Sequence, residues 1–106
     1  MPKYLIVGSY TAEGAKGLLK DGGSKRRQVA EAALKSIGGT VEQFYFALGD
    51  QDFYAIVDAP DNVTVAAASL AISAGGGVRS KTVALLAAED IDHAAKKNMI
   101  YQPPGH

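Results

Sequence analysis

The chain has 106 residues, 47% of them hydrophobic, and equal numbers of basic and acidic side chains, 11 of each. That length fits one domain with a core of its own, and the charge balance argues against a nucleic-acid binder, which normally carries a basic excess. Cysteine is absent, which removes disulfides, thiolate metal sites and cysteine nucleophiles together. No apolar run nears the roughly 20 residues that cross a bilayer. The N-terminus reads as a strand, not a signal peptide. A cytoplasmic location without membrane or nucleic-acid partners is therefore expected.

The first element is a strand over Lys3–Tyr10, rich in β-branched and aromatic residues. Thr11–Gly23 holds four glycines and reads as a loop with at most one helical turn around Lys16–Lys20. Ser24 is the expected N-cap of the first main helix, since its hydroxyl can accept from a free backbone N–H. Ala30, Ala33, Leu34 and Ile37 share one helical face and are assigned to the core. Arg26, Arg27, Glu31 and Lys35 are assigned mostly to solvent, with Glu31 and Lys35 as an i,i+4 pair. Gly38-Gly39 ends the helix.

Thr40–Leu48 is a second strand and Phe53–Ala59 a third. The Gly49-Asp50-Gln51-Asp52 turn between them makes a hairpin. Asp61 is the expected N-cap of the second main helix, whose core face is assigned to Val63, Ala66, Ala67, Leu70, Ala71 and Ala74. Its opposite side, with Val65, Ala68 and Ile72, is also apolar, and no charge appears between Asp61 and Arg79. A helix apolar most of the way round is usually buried on two sides. Gly75-Gly76-Gly77 stops it, Val78–Ala87 is a fourth strand, and Glu89–Asn98 is a short polar helix before an extended tail.

The order β-α-β-β-α-β predicts an α+β, ferredoxin-like fold: a four-stranded antiparallel sheet, two helices on one face, and an extra C-terminal helix. One domain spans 1–106, with a core over about 3–90 and the C-terminal helix and tail over 89–106. Both faces of the sheet read as apolar. Tyr4 and Ile6 oppose Leu5 and Val7; Val41, Tyr45 and Ala47 oppose Phe44, Phe46 and Leu48; Phe53, Ala55 and Val57 oppose Tyr54 and Ile56. Two helices cover one face. A second copy of the chain is the economical cover for the other, giving a homodimer or larger homo-oligomer. The alternative cover is the C-terminal helix and tail folded back.

Several residues in this frame resemble a family. Thr11, Glu13-Gly14 and Lys20-Asp21 follow the first strand, and Gly38-Gly39 enters the second. Phe44 to Asp52 leads into a strand ending Asp58-Ala59-Pro60-Asp61, and Gly77 to Thr82 opens the last strand. Together these resemble the GYD-domain family over roughly Tyr4 to Asp90. Where the family motif carries a Tyr before the Asp, this chain has Gln51. The resemblance implies a dimeric α+β barrel, in which two sheets pack face to face. It implies no agreed activity, because that superfamily spans cofactor-free enzymes, haem enzymes and ligand sensors.

Candidate site residues follow from chemistry. Tyr4, Tyr10, Tyr45 and Tyr54 are placed in the space between two sheets, either packing or offering phenols to a small ligand. Arg79 and Lys81 share a face of the last strand and either hold an anion or sit as charges at the sheet rim. Gly49, Asp50 and Asp52 form the turn motif; two carboxylates alone are too few oxygen ligands for a hard cation, and turn chemistry accounts for them. His93 is a surface histidine and the one possible base in a structured stretch. No metal site is expected, and no cofactor. The spacing of Gly14-Ala15-Lys16-Gly17 departs from a phosphate loop. The expected function is a small-molecule-binding or assembly module without a defined catalytic site. The alternative is a cofactor-free monooxygenase or isomerase acting on a small metabolite in an inter-sheet cavity.

Overall fold

A computed structural model describes residues 1–106. The chain runs β1 (Lys3–Tyr10), α1 (Ala12–Asp21), α2 (Gly23–Ser36), β2 (Thr40–Phe46), β3 (Phe53–Asp58), α3 (Asn62–Ala74), β4 (Val78–Leu85) and α4 (Ala88–Ala95). The strands form one antiparallel sheet in the order β2-β3-β1-β4. This is the α+β, ferredoxin-like arrangement expected from the element order, with one helix more.

That helix, α1, replaces the expected loop. Its glycines are packing residues. A Cβ on Gly14 would stand 1.9 Å from the Gly77 carbonyl oxygen, so only glycine lets α1 lie against the loop before β4. Thr11 caps the helix: its Oγ1 accepts from the Gly14 N–H at 3.2 Å and donates to the Gly76 carbonyl at 2.9 Å. A side-chain cap and a tertiary contact outweigh the weak helix propensity of two glycines. Helix α2 then begins one residue before Ser24, so Ser24 is not its cap. Gly22 occupies that position at φ 84° without a side-chain bond. The expected Glu31–Lys35 pair is replaced by Arg27 and Glu31 at 3.7 Å, both exposed.

Helix α3 is capped as expected, with Asp61 Oδ1 accepting from the Thr64 N–H at 2.8 Å. Bonds from the Thr64 backbone N–H and then its hydroxyl hold the Asp61 carboxyl below the usual carboxylate range. The rotation of α3 is the reverse of the expected one. Val65 is buried and Ala68 and Ile72 are half-buried, whereas Val63 and Leu70 are 80% and 72% exposed. An almost uniformly apolar helix carries no periodicity to set its rotation. Polar contacts set it: the Tyr4 hydroxyl donates to Asn62 Oδ1 at 2.6 Å, and Ser69 and Thr82 hydroxyls meet at 3.1 Å.

The core lies between the helices and the sheet and comprises Tyr4, Ile6, Leu34, Phe53, Ala55, Val57, Ala59 and Val65. Strand β2 departs from simple alternation. A register shift between Val41 and Gln43 brings Val41 opposite Val57 and Phe44 opposite Ala55. Val41 therefore packs on the core side with Phe44, not with Tyr45 as expected, because a bulge inverts the parity of every residue before it. Only ten residues of 106 are buried. The chain exposes 7670 Å², roughly 2,000 Å² more than a compact monomer of its mass. Part of that surface belongs to α4 and the tail, which project from the body and leave Ile91, Met99, Ile100 and Tyr101 exposed. They do not cover the open sheet face. No helix of the chain is long and apolar enough to cross a membrane.

Candidate functional site

Two surfaces of one sheet are open to a partner. On the face away from the helices, strand register sets residues in rows. Tyr45 pairs with Tyr54, Tyr54 with Val7, and Val7 with Lys81, so one row crosses all four strands. The next row is Gln43, Ile56, Leu5 and Val83. Arg79 lies one step beyond Lys81, opposite Ser9. At the other end Lys3 is paired with Glu42 and, at 2.9 Å, with Asp58. These carboxylates hold the exposed Lys3 ammonium above its usual range. Tyr45, Tyr54 and Val83 are 66%, 42% and 47% exposed. An apolar centre is thus bordered by two phenols on one side and two cations on the other.

The expected tyrosine set is divided by this geometry. Tyr45 and Tyr54 share the open face with Arg79 and Lys81, whereas Tyr4 and Tyr10 point toward the helices. Tyr4 is 3% exposed with its hydroxyl bonded to Asn62. The turn motif is tied to the end of β1. Asp52 Oδ2 accepts from the Tyr10 N–H at 2.7 Å, and the Asp52 N–H donates to the Gly8 carbonyl at 2.8 Å. Gln51 Oε1 accepts from the Ser9 hydroxyl at 3.1 Å, and Gly49 takes φ 124° in the turn. The hairpin is thereby locked onto the neighbouring strand. Asp50 is exposed, and His93 is exposed on α4; neither lines the cleft on the helix side of the sheet. No group of three or more His, Cys, Asp or Glu side chains is gathered anywhere in the chain.

The second surface is a cleft of about 280 Å³ on the helix side. Its origin is geometric. Helix α2 packs on β2 and α3 on β4, the two edges of the sheet, which leaves a narrow gap between the helices above the buried central strands β3 and β1. Ala30 and Ala33 on one side and Ala71 on the other are small, and the larger Val29, Leu34 and Ile72 line the cleft beside them. The floor carries Ile6, Phe53 and Ala55, with the Phe44 ring stacked on Phe53 at 5.3 Å. Of 15 lining residues 14 are hydrophobic, and the exception is Arg26.

Arg26 and Tyr10 line the cleft together. Burial pushes the Tyr10 phenol up, while the Arg26 guanidinium pulls it the other way. The phenol is therefore neutral near pH 7 and a hydrogen-bond donor. A second hollow of about 120 Å³, bordered by Asp21 and Gly77, meets the first at Tyr10, Arg26 and Val78. The sequence pattern assigns Arg26 to solvent. The signal that places it here is its spacing, since residues 26, 30, 33 and 37 share one helical face.

The GYD domain family matches residues 4–95. A Thermus thermophilus protein, named "Glutamine synthetase and cystathionine beta-lyase binding protein", is 30% identical over 91 residues, covering 86% of this chain and 95% of that protein. No solved structure matches.

Proposed function

This chain belongs to the GYD-domain family, and from that premise we propose that it is a homodimeric, cytoplasmic binding module that pairs through its open sheet face and engages other proteins. The observation that carries the reading is the uncovered apolar centre of that face: Leu5, Val7, Ile56 and Val83 in register, flanked by Tyr45 and Tyr54. A water-facing sheet normally alternates apolar and polar side chains. Part of the chain's surplus exposure lies on this face, at Tyr45, Tyr54 and Val83, where a standard interface would bury ~800 Å² of each partner. With the two-fold axis in the interface and parallel to the strands, the Arg79 and Lys81 side of one copy would lie near the tyrosine side of the other, a favourable pairing of cations with phenol rings. The protein-binding part of the reading draws support from the relative's name.

Native mass spectrometry tests the dimer. A species near twice the 11.0 kDa chain mass is expected, and Ile56→Asp, which sets a charge in the apolar centre, is expected to shift it to the monomer while the circular dichroism spectrum is retained. A wild-type monomer at micromolar concentration overturns the reading. Glutamine synthetase is the natural first probe for a protein partner, with comigration in gel filtration as the expected result.

A further inference from the structure

The cleft between α2 and α3 lies on the opposite side of the sheet from the proposed dimer face and is not used by it. Its floor and walls are apolar, and a single cation enters it. None of the chain's ion pairs involves Arg26, although its neighbour Arg27 is paired with Glu31. A half-buried guanidinium without a carboxylate, beside a neutral phenol, is an anion receptor next to an apolar slot.

We infer that this cleft binds a small monocarboxylate with an apolar body, the carboxylate resting on Arg26 and the Tyr10 hydroxyl and the body on Ile6, Phe44, Phe53 and Ala55. The head is a carboxylate by charge and shape. One guanidinium balances one negative charge, and its planar fork matches two carboxylate oxygens. Volume bounds the body. A dry cavity of about 150 Å³ accepts benzene, so about 280 Å³ holds roughly twice that, an unbranched chain of about eight carbons or an arylalkyl group. The aromatic floor of Phe44 and Phe53 suits either.

Isothermal titration of the full chain with octanoate, octanamide and acetate tests the site. Octanoate is expected to bind at least tenfold tighter than octanamide, which has the same body without the charge, and acetate, the head without the body, is expected not to bind. Arg26→Gln is expected to bring octanoate down to the octanamide level. Ala30→Phe fills the cleft from α2 and is expected to abolish binding of both while the melting temperature holds or rises. The dimer mass is expected to be unchanged in both variants, which keeps this test separate from that of the sheet face. Equal binding of octanoate and octanamide, no effect of Arg26→Gln, or no binding of octanoate overturns the inference. If Arg26→Gln loses its fold, Ala30→Phe and the octanoate-to-octanamide ratio decide alone.

Discussion

The two faces of the one sheet are built from similar residues and do different things. On the helix side, Tyr4, Ile6, Ala55 and Val57 are buried to within a few per cent. On the far side, Leu5, Val7 and Ile56 come from the same strands, one residue along, and no part of this chain covers them. Composition does not separate the faces. What separates them is the helix pair, which covers one face incompletely and leaves a cleft over the middle strands. Apolar surface in this protein is therefore divided into a folding core, a partner surface and a ligand-sized gap.

The difference between the faces is best broken by paired substitutions. The largest effect is expected for Ile6→Ala, which empties a core position at a cost of about 3 kcal/mol. Val7→Ala, its neighbour on the open face, is expected to cost about 0.5 kcal/mol in dilute solution. Urea denaturation of the two variants at concentrations that keep the chain monomeric measures the contrast, and equal costs there would mean that the open face is already covered within one chain. A smaller effect is expected for the tyrosines. Tyr4→Phe removes the donor to Asn62 that orients α3 and is expected to cost about 1 kcal/mol. Tyr54→Phe removes an exposed hydroxyl and is expected to leave chain stability unchanged, and thermal unfolding of the pair checks this. The smallest effect is expected on deleting 88–106. The melting temperature of the remaining body is expected to stay within about 2 °C, since α4 and the tail add little to the core. A larger drop would assign the projecting segment a packing role in the assembled protein.

Much of the fold was legible from residue pattern. The four strands, the hairpin at Gly49–Asp52, the Asp61 cap and the two-sided apolar sheet all follow from local chemistry: strand composition, turn residues and a carboxylate at a helix start. The candidate site was legible only in pieces. Tyr45, Tyr54, Arg79 and Lys81 were placed on the sheet by spacing, but the bulge after Val41 was invisible to alternation. Residue type makes Tyr10 one of four like phenols, although the helices set it apart from Tyr45 and Tyr54. Arg26 carried a readable spacing that its charge concealed.

The sequence by itself determined which segments are strands and most of those that are helices, and that the sheet has two apolar faces, because those properties reside in neighbours along the chain. Tertiary structure decided the rest. It turned Gly14 from a loop residue into a helix contact, since the Gly77 carbonyl leaves no room for a Cβ. It rotated α3 through the Tyr4–Asn62 and Ser69–Thr82 bonds, since an all-apolar helix has no preferred side of its own. It also seated the helices over the sheet edges, which opened the cleft and brought Arg26 to it, a result that depends on distances between elements and on no single stretch of residues.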